Sequence, residues 1–129
     1  MRKILPTLIL SLVFPLVAWS LDKEPFSQER FEALQAEDAL VLIDVYATWC
    51  STCAKQQEIL AAYRAENPAV DLHILEVDFD NDKEWVTHFR APRQSTLLLY
   101  RGEEQLWFSV AETDRDAVFA ALNEAAVNG

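Results

Sequence analysis

Glycine is nearly missing from this chain: 129 residues hold only two. No Gly/Ser-rich or Pro-rich tract is present either, so nothing reads as a flexible linker, and the length suits one domain rather than two. No internal repeat is visible. Basic residues are also scarce. Eleven Lys and Arg stand against 21 Asp and Glu, for a formal net charge of −10. That balance argues against a nucleic-acid partner and against an anionic lipid surface. Histidine occurs twice, at His73 and His88, with no ligand spacing between the two. Asp78-Phe79-Asp80-Asn81-Asp82 opens like a calcium loop, but Lys83 and Phe89 stand where such a loop needs glycine and glutamate. No metal site is therefore assigned.

What is present begins with an export pattern. Met1-Arg2-Lys3 is a short basic start, Ile4 to Ala18 is almost wholly apolar, and Ala18-Trp19-Ser20 puts small residues, Ala18 and Ser20, at the two positions a signal peptidase reads. This is the three-part pattern of a secretory signal peptide, with cleavage expected after Ser20. An uncleaved N-terminal anchor is the alternative; Pro6 and Pro15 and the short apolar run weigh against it. The expectation is a signal peptide over 1–20, a single domain over 21–129, and a soluble, periplasmic, monomeric product.

Cysteine also occurs twice, and both copies fall in one short stretch, Tyr46-Ala47-Thr48-Trp49-Cys50-Ser51-Thr52-Cys53. In an oxidising compartment one use of such a pair is a structural disulfide. A Cys-x-x-Cys bridge closes a very small loop, however, and constrains the unfolded chain little. The spacing suits chemistry better than stability.

Hydrophobic patterning supplies the frame. Ser27 opens a helical stretch as a capping residue, without the glutamate of a full capping box. Ala39 to Tyr46 is a continuous apolar run interrupted only by Asp44, the mark of a strand buried on both faces. A helix is expected from Cys53 to about Glu66, stopped by Asn67-Pro68. Leu72 to Phe79 reads as a strand, Asp82 to Phe89 as a short helix, and Thr96 to Tyr100 as a strand. Arg101-Gly102-Glu103-Glu104 reads as a hairpin turn, Gln105 to Val110 as a strand and Thr113 to Val127 as a helix. The order predicts an α/β fold, with helices on both faces of a sheet.

With these landmarks in place the chain resembles thioredoxin-like proteins from about Leu40 to Leu122. The likeness rests on Leu42-Ile43-Asp44-Val45-Tyr46-Ala47-Thr48-Trp49-Cys50-x-x-Cys53, on Val77-Asp78-Phe79-Asp80 and on Ser95-Thr96-Leu97-Leu98-Leu99-Tyr100. It implies a central mixed β-sheet and thiol–disulfide exchange without a bound cofactor. Cys50 matches the attacking cysteine and Cys53 the resolving one. Helix position gives the same assignment: unpaired N–H groups at a helix start favour a thiolate at Cys50. Asp44 matches a buried acid that assists proton transfer at the second cysteine. Burial would raise its pKa toward neutrality. Trp49 matches the residue that flanks the site and shapes the substrate groove.

Three departures stand out. Ser51-Thr52 between the cysteines contains neither proline nor histidine, which leaves the redox direction open. Ser95 stands where the family places a cis-proline facing the cysteines. Either a trans bond with a reshaped groove or a strained cis bond is expected there. The main chain of Gln94 and Ser95 would pair with an extended substrate, and the Ser95 hydroxyl is placed to meet a cysteine sulfur. Glu76 replaces a frequent lysine near the buried acid; it either disfavours ionisation of Asp44 or points to solvent. The expected partners are thiols or disulfides of exported proteins, plus an unidentified electron donor or acceptor. A module that captures a metal ion or a peptide through the same thiols is the alternative.

Overall fold

The structure is a computed structural model that describes residues 22–128. The expected signal segment, 1–20, lies outside the described residues. Nine elements follow in order: β1 (Glu24–Pro25), α1 (Gln28–Ala36), β2 (Leu40–Tyr46), α2 (Ser51–Glu66), β3 (Leu72–Asp78), α3 (Lys83–His88), β4 (Thr96–Arg101), β5 (Glu104–Val110) and α4 (Arg115–Val127). The strands form one sheet in the order β1-β3-β2-β4-β5. β1, β3 and β2 run parallel; β4 and β5 join antiparallel.

β2 lies at the centre, and its residues from Leu40 to Val45 are all buried. Side chains alternate across a strand, so its two faces join two different cores. Leu40 and Leu42 pack with Leu60 and Tyr63 of α2 and with Val118 and Leu122 of α4. Val41, Ile43 and Val45 pack with Phe31 and Leu34 of α1, with Val86 of α3 and with Phe89 at its C-terminal end. The expected mixed sheet with helices on both faces is what the chain forms.

Two differences from the sequence reading matter for the site. α2 starts at Ser51 rather than Cys53, because Cys50 itself is the N-cap and its sulfur accepts the Cys53 N–H at 3.0 Å. β1 was not expected at all. It is only two residues long and carries no periodicity, yet it pairs with Leu75 and Glu76 of β3 and holds the preceding Lys23 against the sheet. The Ser27 cap is present, with its hydroxyl accepting the Arg30 N–H at 3.2 Å.

The hairpin between β4 and β5 turns at Gly102, whose φ of +54° lies in the left-handed region. A Cβ there would stand 2.7 Å from Asp38 Oδ1. Gly102→Ala is therefore expected to cost about 1–2 kcal/mol, from backbone strain plus that collision. Urea unfolding would read it as a lower midpoint at unchanged slope.

Candidate active site

The cysteines sit where β2 ends and α2 begins. Cys50 is 5% exposed and Cys53 fully buried, and the two form a disulfide with Cα atoms 5.2 Å apart. They pack with Ala47, with Tyr46 and Phe79 alongside. The Cys53 N–H pointing at the Cys50 sulfur is one of the donors that a helix start leaves unpaired. Once the disulfide opens, that donor and the helix dipole favour negative charge on Cys50. Cys53, inside the first turn and away from solvent, lacks such exposure. Ser51 is exposed and Thr52 half-buried on the first turn.

Trp49 is 61% exposed. Its indole N–H donates to Asp80 Oδ2 at 2.8 Å, and its ring meets Phe79 edge-on at 6.5 Å. The side chain is thus fixed at its polar and apolar ends while most of its surface stays free beside Cys50. That arrangement fits a groove wall.

Asp44 is fully buried. Its parity along β2 puts it on the same face as Leu40 and Leu42, the face covered by α2. Gln57 of α2 donates to Asp44 Oδ2 at 2.8 Å. Gln57 lies four residues after Cys53, so the two share a helix face and Asp44 lies beneath it. Lys23 Nζ stands 3.8 Å from the same Oδ2, while Oδ1 is buried without a hydrogen-bond partner. Burial pushes the Asp44 carboxyl up to about 6, against opposing effects from the Gln57 hydrogen bond and the Lys23 charge. Glu76, directly opposite in the β2–β3 register, adds a small upward push.

Glu76 does not simply point to solvent. It forms an ion pair with Lys23, whose ammonium also lies over the Tyr46 ring at 3.9 Å. The cation beside the buried acid thus comes from the segment before β1 and not from β3. Sequence reasoning missed Lys23 because it precedes every periodic element. It missed Gln57 because a glutamine in an amphipathic helix reads as surface.

The peptide bond before Ser95 is trans, and among the described residues no cis bond occurs. Ser95 adopts a φ of +61° and is fully buried. Its N–H donates to Val45 O at 2.7 Å, which puts it at the sheet end from which Cys50 emerges. The Ser95 hydroxyl donates to the Gln94 carbonyl rather than to a cysteine sulfur, because the left-handed backbone turns the side chain back along its own chain. Gln94 itself is half-buried. Neither histidine stands with the cysteines: His73 meets Asp71, and His88 packs on Trp85 and Phe89.

The raised Asp44 titration carries a stability consequence. Asp44 starts from an ordinary value of 3.8. The native state therefore binds a proton that the unfolded chain has already released as pH climbs from there to about 6. Stability falls as pH rises through that window, and the full penalty, on the order of 3 kcal/mol, is present above it. Asp44→Asn should recover most of that penalty near neutral pH and flatten the slope below it. Urea unfolding across the window reads both; an unchanged slope would contradict the assignment.

The thioredoxin family model matches residues 21–124. Thioredoxin of Chlamydia trachomatis serovar D is 33% identical over 98 residues, which cover 76% of this chain and 93% of that protein. The crystal structure of Trxlp from Edwardsiella tarda EIB202 superposes with a TM-score of 0.73 at 39% identity, covering 78% of this chain and 98% of that one. Mitochondrial thioredoxin 3 of Saccharomyces cerevisiae, in its oxidised form, shares the fold with a TM-score of 0.63 at 20% identity, over 74% of this chain and 88% of that one. This chain belongs to the thioredoxin family, and its Cys50–Cys53 disulfide pair supports thiol–disulfide oxidoreductase activity.

Proposed function

We propose that this chain exchanges disulfides with other exported proteins, in the periplasm, as a soluble monomer. The observation that carries the chemistry is the Cys50 sulfur capping α2 while accepting the Cys53 N–H. The export reading is supported by the basic, apolar and small-residue pattern of positions 1–20.

In the reducing direction, the Cys50 thiolate attacks one sulfur of a substrate disulfide. A Cys50–substrate disulfide forms, and the other substrate sulfur leaves as a thiolate and takes up a proton. Cys53 then gives its proton to the Asp44 carboxylate and attacks the Cys50 sulfur. The Cys50–Cys53 bond forms, the second substrate sulfur leaves, and two electrons have passed to the substrate. A carboxyl pushed up to about 6 is matched to that proton transfer near neutral pH. The oxidising direction is the same sequence reversed. Substrate main chain pairs with the half-buried Gln94 as an added strand, with Trp49 as the groove wall, while the buried Ser95, whose N–H and carbonyl are both bonded within the chain, anchors that edge. Ser51 and Thr52 tune the thiolate, and so does the Glu76–Lys23 pair, through Asp44. An electron donor or acceptor, a membrane protein or a thiol carrier, resets the pair.

Trapping tests this reading. Cys53→Ser, expressed with its leader, should accumulate mixed disulfides with exported proteins that a thiol reductant releases. The Cys50→Ser/Cys53→Ser double variant should give none. Absence of any adduct with Cys53→Ser would contradict the enzyme reading and favour a metal- or peptide-capturing module.

A further inference from the structure

Gln56 has no role in the exchange steps, yet it is fully buried. It sits on the inward side of α2 with Cys53, Ile59, Leu60 and Tyr63. An aliphatic residue would fill that position at lower desolvation cost, because the Gln56 Oε1 is buried without a partner. The amide nitrogen does have partners. It donates to the Ser95 carbonyl at 3.1 Å and to the Glu112 carbonyl at 3.0 Å. These belong to two separate segments, one entering β4 and one leaving β5.

Both segments hold a non-glycine residue in the left-handed region. Ser95 has a φ of +61° and Ala111 a φ of +58°. Such residues cost on the order of 1–2 kcal/mol each and persist only where the surroundings over-determine them. Here they are locked to each other and to the sheet. The Ala111 N–H donates to the Ser95 carbonyl at 2.9 Å, and the Ser95 N–H donates to Val45 O at 2.7 Å. The Thr96 hydroxyl donates to the Arg93 carbonyl at 2.6 Å. Gln56 closes this lock from the helix side. It lies three residues after Cys53, so one side chain registers the cysteine helix against both segments.

We infer that Gln56 is a positioning residue for protein substrates: by clamping the Ser95 and Glu112 carbonyls it fixes Ser95, and with it the main chain of the preceding Gln94, ready to receive an extended substrate segment beside Cys50. The inference rests on the proposed exchange with protein disulfides. A preformed docking edge loses less freedom on binding, so its loss falls on substrates that use the edge. Glutathione is too small to need it.

Gln56→Met keeps the length and removes both donors. With insulin as the protein disulfide, KM should rise about tenfold with kcat within about twofold. The rate and equilibrium constant with glutathione should stay within about twofold. The Ala111 amide should exchange hydrogen faster, since the clamp no longer restrains its acceptor. An unchanged KM for insulin, or equal losses with insulin and glutathione, would overturn the inference. Should Gln56→Met fail to fold, Gln56→Glu is read instead. It is nearly isosteric but offers at most one donor, so a smaller rise in KM is expected and an unchanged KM overturns the inference. If the unaltered protein does not react with glutathione at all, the exchange reading itself fails, and the inference with it. That outcome is distinct from a clamp that proves irrelevant to docking.

Discussion

The burial of β2 on both faces is the constraint from which the site follows. A central strand sandwiched between two helical layers offers no solvent-facing side, so every residue from Leu40 to Val45 is inside. Asp44 is one of them, and its position along the strand turns it toward α2 rather than toward α1 and α3. The same strand ends four residues before Cys50 and delivers it to the start of α2, where helix-end donors are unpaired. A buried acid and a polarised sulfur thus arise from one strand and its exit. The cost of keeping Asp44 is what raises its titration toward the pH at which a proton must move.

Polar groups in the core are concentrated at this end of the molecule. Among the described residues the fully buried polar side chains are Asp44, Gln56, Ser95 and Thr96. Asp44 and Thr96 lie near the end of β2 and the start of β4, Ser95 bonds to Val45, and Gln56 reaches Ser95 from α2. The rest of the interior is aliphatic and aromatic. Buried polar groups are expensive unless partnered, and two atoms of this set, Asp44 Oδ1 and Gln56 Oε1, are not. Such groups cluster where chemistry and substrate positioning, rather than packing, decide the residue.

Much of this was legible in the sequence. The apolar run with one internal acid marked both the central strand and the proton-accepting candidate, because no half-exposed strand carries such a run. The Trp-Cys-x-x-Cys stretch marked the reactive pair. The sequence places the α2 start two residues late, at Cys53, because Ser51 and Thr52 carry no apolar signal, although both are helical. Ser95 could not be read as left-handed, since serine, unlike glycine, does not announce a positive φ. Gln56 and Gln57 are identical neighbours with nothing in the sequence to separate them; only the packing shows one tied to Ser95 and the other to Asp44. Lys23 became visible as the partner of Glu76 only once β1 laid the N-terminal segment along β3. Long-range partners of this kind leave no local pattern.

The central claim is that Cys50 and Cys53 form a reversible redox pair rather than a fixed staple. The most direct measurement is the equilibrium of metal-free protein in glutathione buffers of graded potential, followed through the exposed Trp49 beside the pair. A reversible redox pair gives a single reversible two-electron transition. A midpoint near about −270 mV would place the protein with reductants, and one near about −120 mV with oxidants of secreted thiols. A pair that stays disulfide-bonded across the whole series, without equilibrating, is a fixed staple and not a redox pair.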